Sequence, residues 1–179
     1  KLASVASFFI SRIDSMVDSE LDNFSGDATI KAPDLKGKIA VANAKLAYAV
    51  HKQVFQGRRW EKLVSQGGKI QRALWASTST KNAAYADTKY VDELIGPNTV
   101  NTIPPKTLEA FSDHGSAAIS LTSNVGAARR NMDDLADLGV SISDVTLKLE
   151  ENGVQSFADA FTVLLDSIEK RRLDAVEKQ

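Results

Sequence analysis

Three short stretches rich in β-branched and aromatic residues, each followed by helix-like sequence, constrain this chain more than anything else in it. They run from about Ala3 to Ile10 ("ASVASFFI"), Lys69 to Ser77 ("KIQRALWAS") and Thr99 to Ile103 ("TVNTI"). Short runs of this kind, bounded by Gly, Pro or Asn, read as strands. Strand and helix in alternation imply parallel strands joined by right-handed crossovers. Parallel sheets are normally buried on both faces. Three such strands alone leave two hydrogen-bonding edges open and too little sheet to cover the helices. The chain is therefore expected to be part of a larger parallel sheet or barrel, with the remainder upstream, in another chain or removed.

The helices are read from apolar spacing and stop signals. Residues 35–55 place Ile39, Ala42, Leu46, Val50 and Val54 on one face at three- and four-residue steps. "RRWEKLVSQG" ends at Gly67, a natural left-handed cap. Asp87 can cap "TKYVDELI", which Gly96 and Pro97 stop. "PPKTLEAFSDHG" opens on prolines and closes on Gly115. Further helices are expected over Ser123–Leu138, Ser143–Asn152 and Ser156 to about Val176. In the last of these, Phe157, Phe161, Leu164, Leu165 and Ile168 form a stripe that reads as core packing, followed by a solvated charged end. Gly26 to Lys38 reads as a surface loop.

Composition narrows the function classes. The charges nearly cancel, to a formal −1, so no general attraction to nucleic acid or anionic lipid is implied. No apolar run approaches the ~20 residues that span a bilayer, and Lys1 leads straight into structured sequence, so no membrane partner and no signal peptide are expected. The absence of Cys rules out disulfides, thiolate metal sites and cysteine nucleophiles. His51 and His114 lack ligand spacing, so no metal is expected. A cytoplasmic protein fits these features.

Four segments carry a resemblance: "ASVASFFISRIDSMVD" (3–18), "GKIAVANAKLAYAVHKQVF" (37–55), "RALWASTSTKNAAYADTKYVDELIGPNTVNTIPP" (72–105) and "LEENGVQSFADAFTVLLDSI" (149–168). In order and spacing they closely resemble the transaldolase family in its bacterial and plant-plastid type. The resemblance implies an α/β fold, a (β/α)8 (TIM) barrel with extra carboxy-terminal helices. Residues 1–179 would be the carboxy-terminal part of that single domain, with strands six, seven and eight. It implies transfer of a dihydroxyacetone unit between sugar phosphates: sedoheptulose 7-phosphate, fructose 6-phosphate, glyceraldehyde 3-phosphate and erythrose 4-phosphate. The family's Schiff-base Lys sits on the fourth strand, so no catalytic residue is expected here. No cofactor is expected either, because a lysine imine is its own electron sink. The implied setting is the cytoplasm, or the plastid stroma in a plant or alga.

In barrel enzymes, functional side chains sit at the carboxyl ends of strands. Arg12 offers a bidentate fork for a phosphate; read from residues alone, it could equally pair with Asp14 or Asp18. The resemblance makes Arg12 the phosphate ligand and Ser7 an active-site serine. "WASTSTKN" (75–82) gathers hydroxyls and one cation, a sensible phosphate cradle, or simply a turn. The resemblance maps Ser77 and Lys81 to phosphate binding, although related proteins often carry Arg at the position of Lys81 and a shorter loop. Lys81 as the Schiff-base lysine conflicts with the family pattern. That pattern also continues with Pro where this chain has Ala83. Asn101 and Thr102 could line the pocket or satisfy the turn before Pro104, and His114 is expected to meet the last carbonyls of its helix. Trp60 and Trp75 read as packing residues. The competing functional reading is a non-catalytic half-barrel that another chain completes, the amino-terminal half of the same barrel being the natural partner.

Overall fold

The structure is a computed structural model and describes residues 2–24 and 28–176. The three expected strands are present: β1 (Val5–Phe9), β2 (Arg72–Ala76) and β3 (Thr99–Asn101) form one sheet in the order β1-β2-β3, all parallel. The register aligns Ser7 with Leu74 and Val100, so these three share one face of the sheet, with Val5, Phe9 and Ala76. The opposite face carries Ala73 and Trp75, both buried, and Phe8 tilts against the Trp75 ring at 5.7 Å. The indole N–H of Trp75 donates to the Leu94 carbonyl, which meets the one polar demand of that side chain. Trp75 is thus a packing residue, as expected. The other face stays open: Val5 and Phe9 are exposed, Phe9 by 49%.

Two compact units divide the chain, Lys1–Ser141 and Ile142–Gln179. The first holds the sheet and seven helices among the described residues: α1 (Ser11–Leu21), α2 (Ala28–Leu35), α3 (Ile39–Val54), α4 (Gly57–Ser65), α5 (Lys89–Asp92), α6 (Pro105–His114) and α7 (Val125–Asp137). Its core runs from Ile10, Ile13 and Val17 of the β1–α1 unit through Ile39, Ala40 and Ala44 of α3, which packs on α1 and α7. The second unit is one helix, α8 (Ile142–Val176). Among the described residues, no helix is long and apolar enough to cross a membrane.

Several expectations are corrected. The loop expected from Gly26 to Lys38 contains α2; residues 25–27 lie outside the described residues. Pro33 sits inside α2, two residues from its end, where the missing N–H costs one bond and does not prevent the turns before it. The two helices expected over 143–152 and 156–176 are one, since Gly153 weakens a helix by only about 1 kcal/mol against Ala and offers no turn by itself. The stripe of α8 is not core: Phe157 and Phe161 are 80% and 60% exposed. In α3 the expected face is buried only at Ile39 and Ala42, while Val50 and Val54 are exposed; Tyr48 is buried instead and its hydroxyl donates to the Pro97 carbonyl.

Asp87 does not cap α5, whose N-cap is Thr88. Its carboxylate meets His114 Nε2 at 2.8 Å, while His114 Nδ1 lies 3.1 Å from Asp113. His114 therefore serves two carboxylates and not the last carbonyls of α6, because the chain brings the loop before α5 beside that helix end. These contacts raise the His114 pKa and lower that of Asp87. The cap at Gly67 is as expected, with φ +88° and the Gly67 and Gly68 amides closing on Val64 and Leu63.

Candidate functional site

β1 ends at Phe9, and after one residue α1 begins; the Ile10 and Ser11 amides continue the sheet pattern onto the Ala76 and Ser77 carbonyls. This stitching places the first turn of α1 beside the end of β2. Ser7 lies on the open sheet face with Phe9, two residues further on. Arg12, in the first turn of α1, lies with its guanidinium 5.0 Å from the centre of the Phe9 ring. Arg12 is thus past the strand end and has no ion pair among the described residues. Its alternative partners are occupied elsewhere: Asp14 accepts from the Ala40 amide and Tyr90 hydroxyl, Asp18 from the Gly37 amide and Tyr85 hydroxyl.

Ser77 follows directly on β2 with φ +54°, a left-handed conformation that costs a non-glycine residue about 1–2 kcal/mol. Strain of this sort gathers at functional sites because surrounding structure must hold it. Here the hold is the Ser11 amide on the Ser77 carbonyl, at 3.1 Å. The structure thus brings Arg12 and Ser77 to the carboxyl end of the sheet, while Ser7 lies mid-strand in β1 on the open face. Lys81 lies four residues further along the loop from Ser77: it is exposed, donates to Ser79 Oγ at 3.0 Å and lines a cavity of about 280 Å³ with Ser15, Asp14, Asp18, Tyr85 and Tyr90. Asn101 accepts from the buried Thr78 hydroxyl, and Thr102 donates to the Trp75 carbonyl through both its amide and its side chain. These two satisfy the turn.

Sequence reasoning saw Asp14 and Asp18 only as alternative partners of Arg12 and missed what they hold. Asp14 and Asp18 lie one turn apart on the buried face of α1, and each spans from a backbone amide to a tyrosine hydroxyl. The Ala40 amide is one of the donors that the first turn of α3 leaves unpaired, and Lys38, its N-cap, supplies no side-chain acceptor. Asp14 thus caps α3 from another helix, at 2.8 Å, with its charge at the positive end of the helix dipole. Burial pushes the Asp14 pKa up; the Ala40 and Tyr90 hydrogen bonds pull against it. Burial, together with the neighbouring carboxylates, pushes both the Tyr85 and Tyr90 hydroxyls upward, so both stay protonated as donors. The signal available in the sequence was the i, i+4 pair of Asp within the apolar face of Ile13, Val17 and Leu21.

A parallel three-strand sheet with each strand followed by helix defines an α/β protein. Comparison with known sequences narrows the class. The family described as Transaldolase/Fructose-6-phosphate aldolase matches over residues 1–168, and the chain belongs to that family. The transaldolase of Trichodesmium erythraeum is 47% identical over 178 residues, covering 96% of this chain and 47% of that protein. The transaldolase of Parafrankia sp. is 49% identical over 171 residues, covering 95% and 46%. That of Frankia alni is 49% identical over 168 residues, covering 93% and 44%. The chain thus spans about half the length of the curated relatives it matches.

Proposed function

We propose that these residues form the sixth, seventh and eighth strands of a (β/α)8 barrel that works as a transaldolase, a transferase of the pentose phosphate pathway and of carbohydrate metabolism. In this reading the complete barrel moves a dihydroxyacetone unit from a ketose phosphate to an aldose phosphate through a lysine imine. The lysine comes from strands outside the 179 residues, and this chain supplies the phosphate-binding side in a cytoplasmic enzyme. Arg12 grips the phosphate, Ser77 adds a hydroxyl and Lys81 a second cation, while Ser7 faces the reacting carbons from the open sheet face. Sugar phosphates are the partners, and the imine needs no further cofactor. The observation that supports this reading is that Arg12 and Ser77 follow the carboxyl ends of the adjacent parallel strands β1 and β2, with Ser7 mid-strand on the open face.

Two measurements test it. Titration of the 179-residue chain with inorganic phosphate, followed by amide chemical shifts, is expected to show binding that Arg12→Ala weakens about tenfold or more. Borohydride treatment with fructose 6-phosphate is expected to leave this chain unmodified. It should trap an adduct only on an added polypeptide that supplies the remaining strands of a matched relative. An adduct on the 179-residue chain itself sinks the assignment of the lysine. The half-barrel as a non-catalytic assembly element is favoured by the exposed Val5 and Phe9, and it gains ground if a stable complex forms with no trapped adduct at all.

A further inference from the structure

The loop between β2 and α5 carries Ser77 and Lys81, and most of its residues from 81 to 87 are exposed. Tyr85 is the exception. Its hydroxyl donates to Asp18 Oδ2 at 2.6 Å, and its ring lies against Gly37, where a Cβ would stand 2.6 Å from Cζ. Gly37 has φ +68°, so both its conformation and the ring above it require glycine. The Gly37 amide donates to the other oxygen of the same carboxylate, at 2.9 Å. One carboxylate therefore ties the loop, α1 and the turn before α3 together. Short bonds within the loop make the tie stiff: the Tyr85 amide closes on the Asn82 carbonyl, the Ala84 amide on Asn82 Oδ1 and the Thr80 hydroxyl on the Ala86 carbonyl. Lys81 is adjacent to this turn.

The same bonds decide what Lys81 can do. It lines one cavity with Asp14 and Asp18, which would be expected to capture its ammonium group. Both carboxylates instead spend their oxygens on amides and tyrosine hydroxyls, and among the described residues Lys81 bonds to Ser79 Oγ alone. Ser15, which lines that cavity too, is three residues on from Arg12, about 4.5 Å along the helix axis. We infer that Tyr85 is a positioning residue for the anion site: by occupying Asp18 and pinning the loop to α1, it keeps Lys81 uncommitted and within reach of the phosphate held by Arg12. The inference rests on the phosphate-binding reading above. It adds that a tyrosine outside the site sets the strength of that site.

The test is a double-mutant cycle in the 179-residue chain, read by inorganic phosphate titration. Tyr85→Phe keeps the ring on Gly37 and removes only the hydroxyl. It is expected to raise the phosphate Kd about fivefold or more, and Lys81→Met to do the same. If Tyr85 acts through Lys81, the double variant binds no more weakly than Lys81→Met alone. In an Asp18→Asn background, which removes the charge that would capture Lys81, Tyr85→Phe should cost clearly less affinity, and a full loss there overturns the inference; urea midpoints measured on each variant separate weaker binding from weaker folding. Phosphate affinity unchanged in Tyr85→Phe overturns the inference and leaves the Arg12 reading standing. Losses that multiply in the double variant overturn it as well. A wild-type chain that binds no phosphate, or an Arg12→Ala variant that binds as well as wild type, overturns the phosphate reading and this inference with it.

Discussion

Helices α1 and α8 invert the usual rule of what goes inside. The 11-residue α1 buries two carboxylates, Asp14 with 1% of its surface exposed, whereas the 35-residue α8 presents Phe157, Phe161, Leu164, Leu165 and Ile168 to solvent. The difference teaches that partners, and not side-chain polarity, decide burial. Around α1 the fold supplies a matched donor for each carboxylate oxygen, and a charge-assisted hydrogen bond of this kind contributes about 1.5–3 kcal/mol. The unit that contains α8 is the helix alone, about 52 Å long at 1.5 Å per residue, and a single helix cannot cover its own apolar stripe.

The strongest test of this contrast is Asp14→Ala. It leaves the Ala40 amide and Tyr90 hydroxyl buried without an acceptor and uncaps α3. A loss of about 3 kcal/mol in urea unfolding is expected, set by two orphaned donors at about 1–3 kcal/mol each and offset by relief of a buried charge. A neutral outcome would break the comparison, because the carboxylate would then be tolerated and not required. Gly37→Ala comes next, at about 2 kcal/mol: a left-handed alanine, and a Cβ that must displace the Tyr85 ring from Asp18. Calorimetry on Gly37→Ala alone and in the Tyr85→Ala background separates the two causes, since with the ring removed only the backbone cost survives.

Tyr90→Phe removes a single bond from Asp14 and is expected to cost about 1.5 kcal/mol at neutral pH. Its pH dependence is the sharper observation. The Tyr90 hydroxyl lowers the Asp14 pKa, which burial already holds above 3.8, so the variant raises it further. A carboxyl whose folded pKa is raised favours the protonated form on folding. The deficit of the variant against wild type should therefore be full above the raised pKa and shrink as pH falls toward 3.8. A deficit that is constant with pH would mean that Asp14 does not ionise in the fold.

The same contrast explains what could be read in advance. Strands and most helices were legible because their signals are local: apolar runs bounded by Gly and Asn, and apolar spacing at three and four residues. Arg12 and Ser77 were legible as residues that follow strand ends once the strands were placed, whereas Ser7, in mid-strand, was singled out only by the family resemblance. The two aspartate–tyrosine hydrogen bonds were not legible, because Asp18 meets Tyr85 across 67 residues and Asp14 meets Tyr90 across 76, and no local pattern marks such pairs. A buried aspartate looks in sequence like any surface acid. The missing break at Gly153 has the same origin in reverse: glycine permits a turn, and only tertiary partners would have made one.

The smallest effect expected is on α8. Replacing Phe157 and Phe161 together by Ser removes two large aromatic side chains from a face that is already in water. Surface changes of this kind usually fall within about 0.5 kcal/mol, and serine gives up only a few tenths of helix propensity relative to residues that favour helix. The urea midpoint of the 179-residue chain is therefore expected to stay put, while Asp14→Ala shifts it strongly. Burying a phenylalanine side chain contributes about 1.5–3 kcal/mol, so a loss above 2 kcal/mol in the double variant would show that the stripe is covered in solution. That result would remove the contrast with α1 at its root. Both helices would then be obeying one rule, each burying what its partners match.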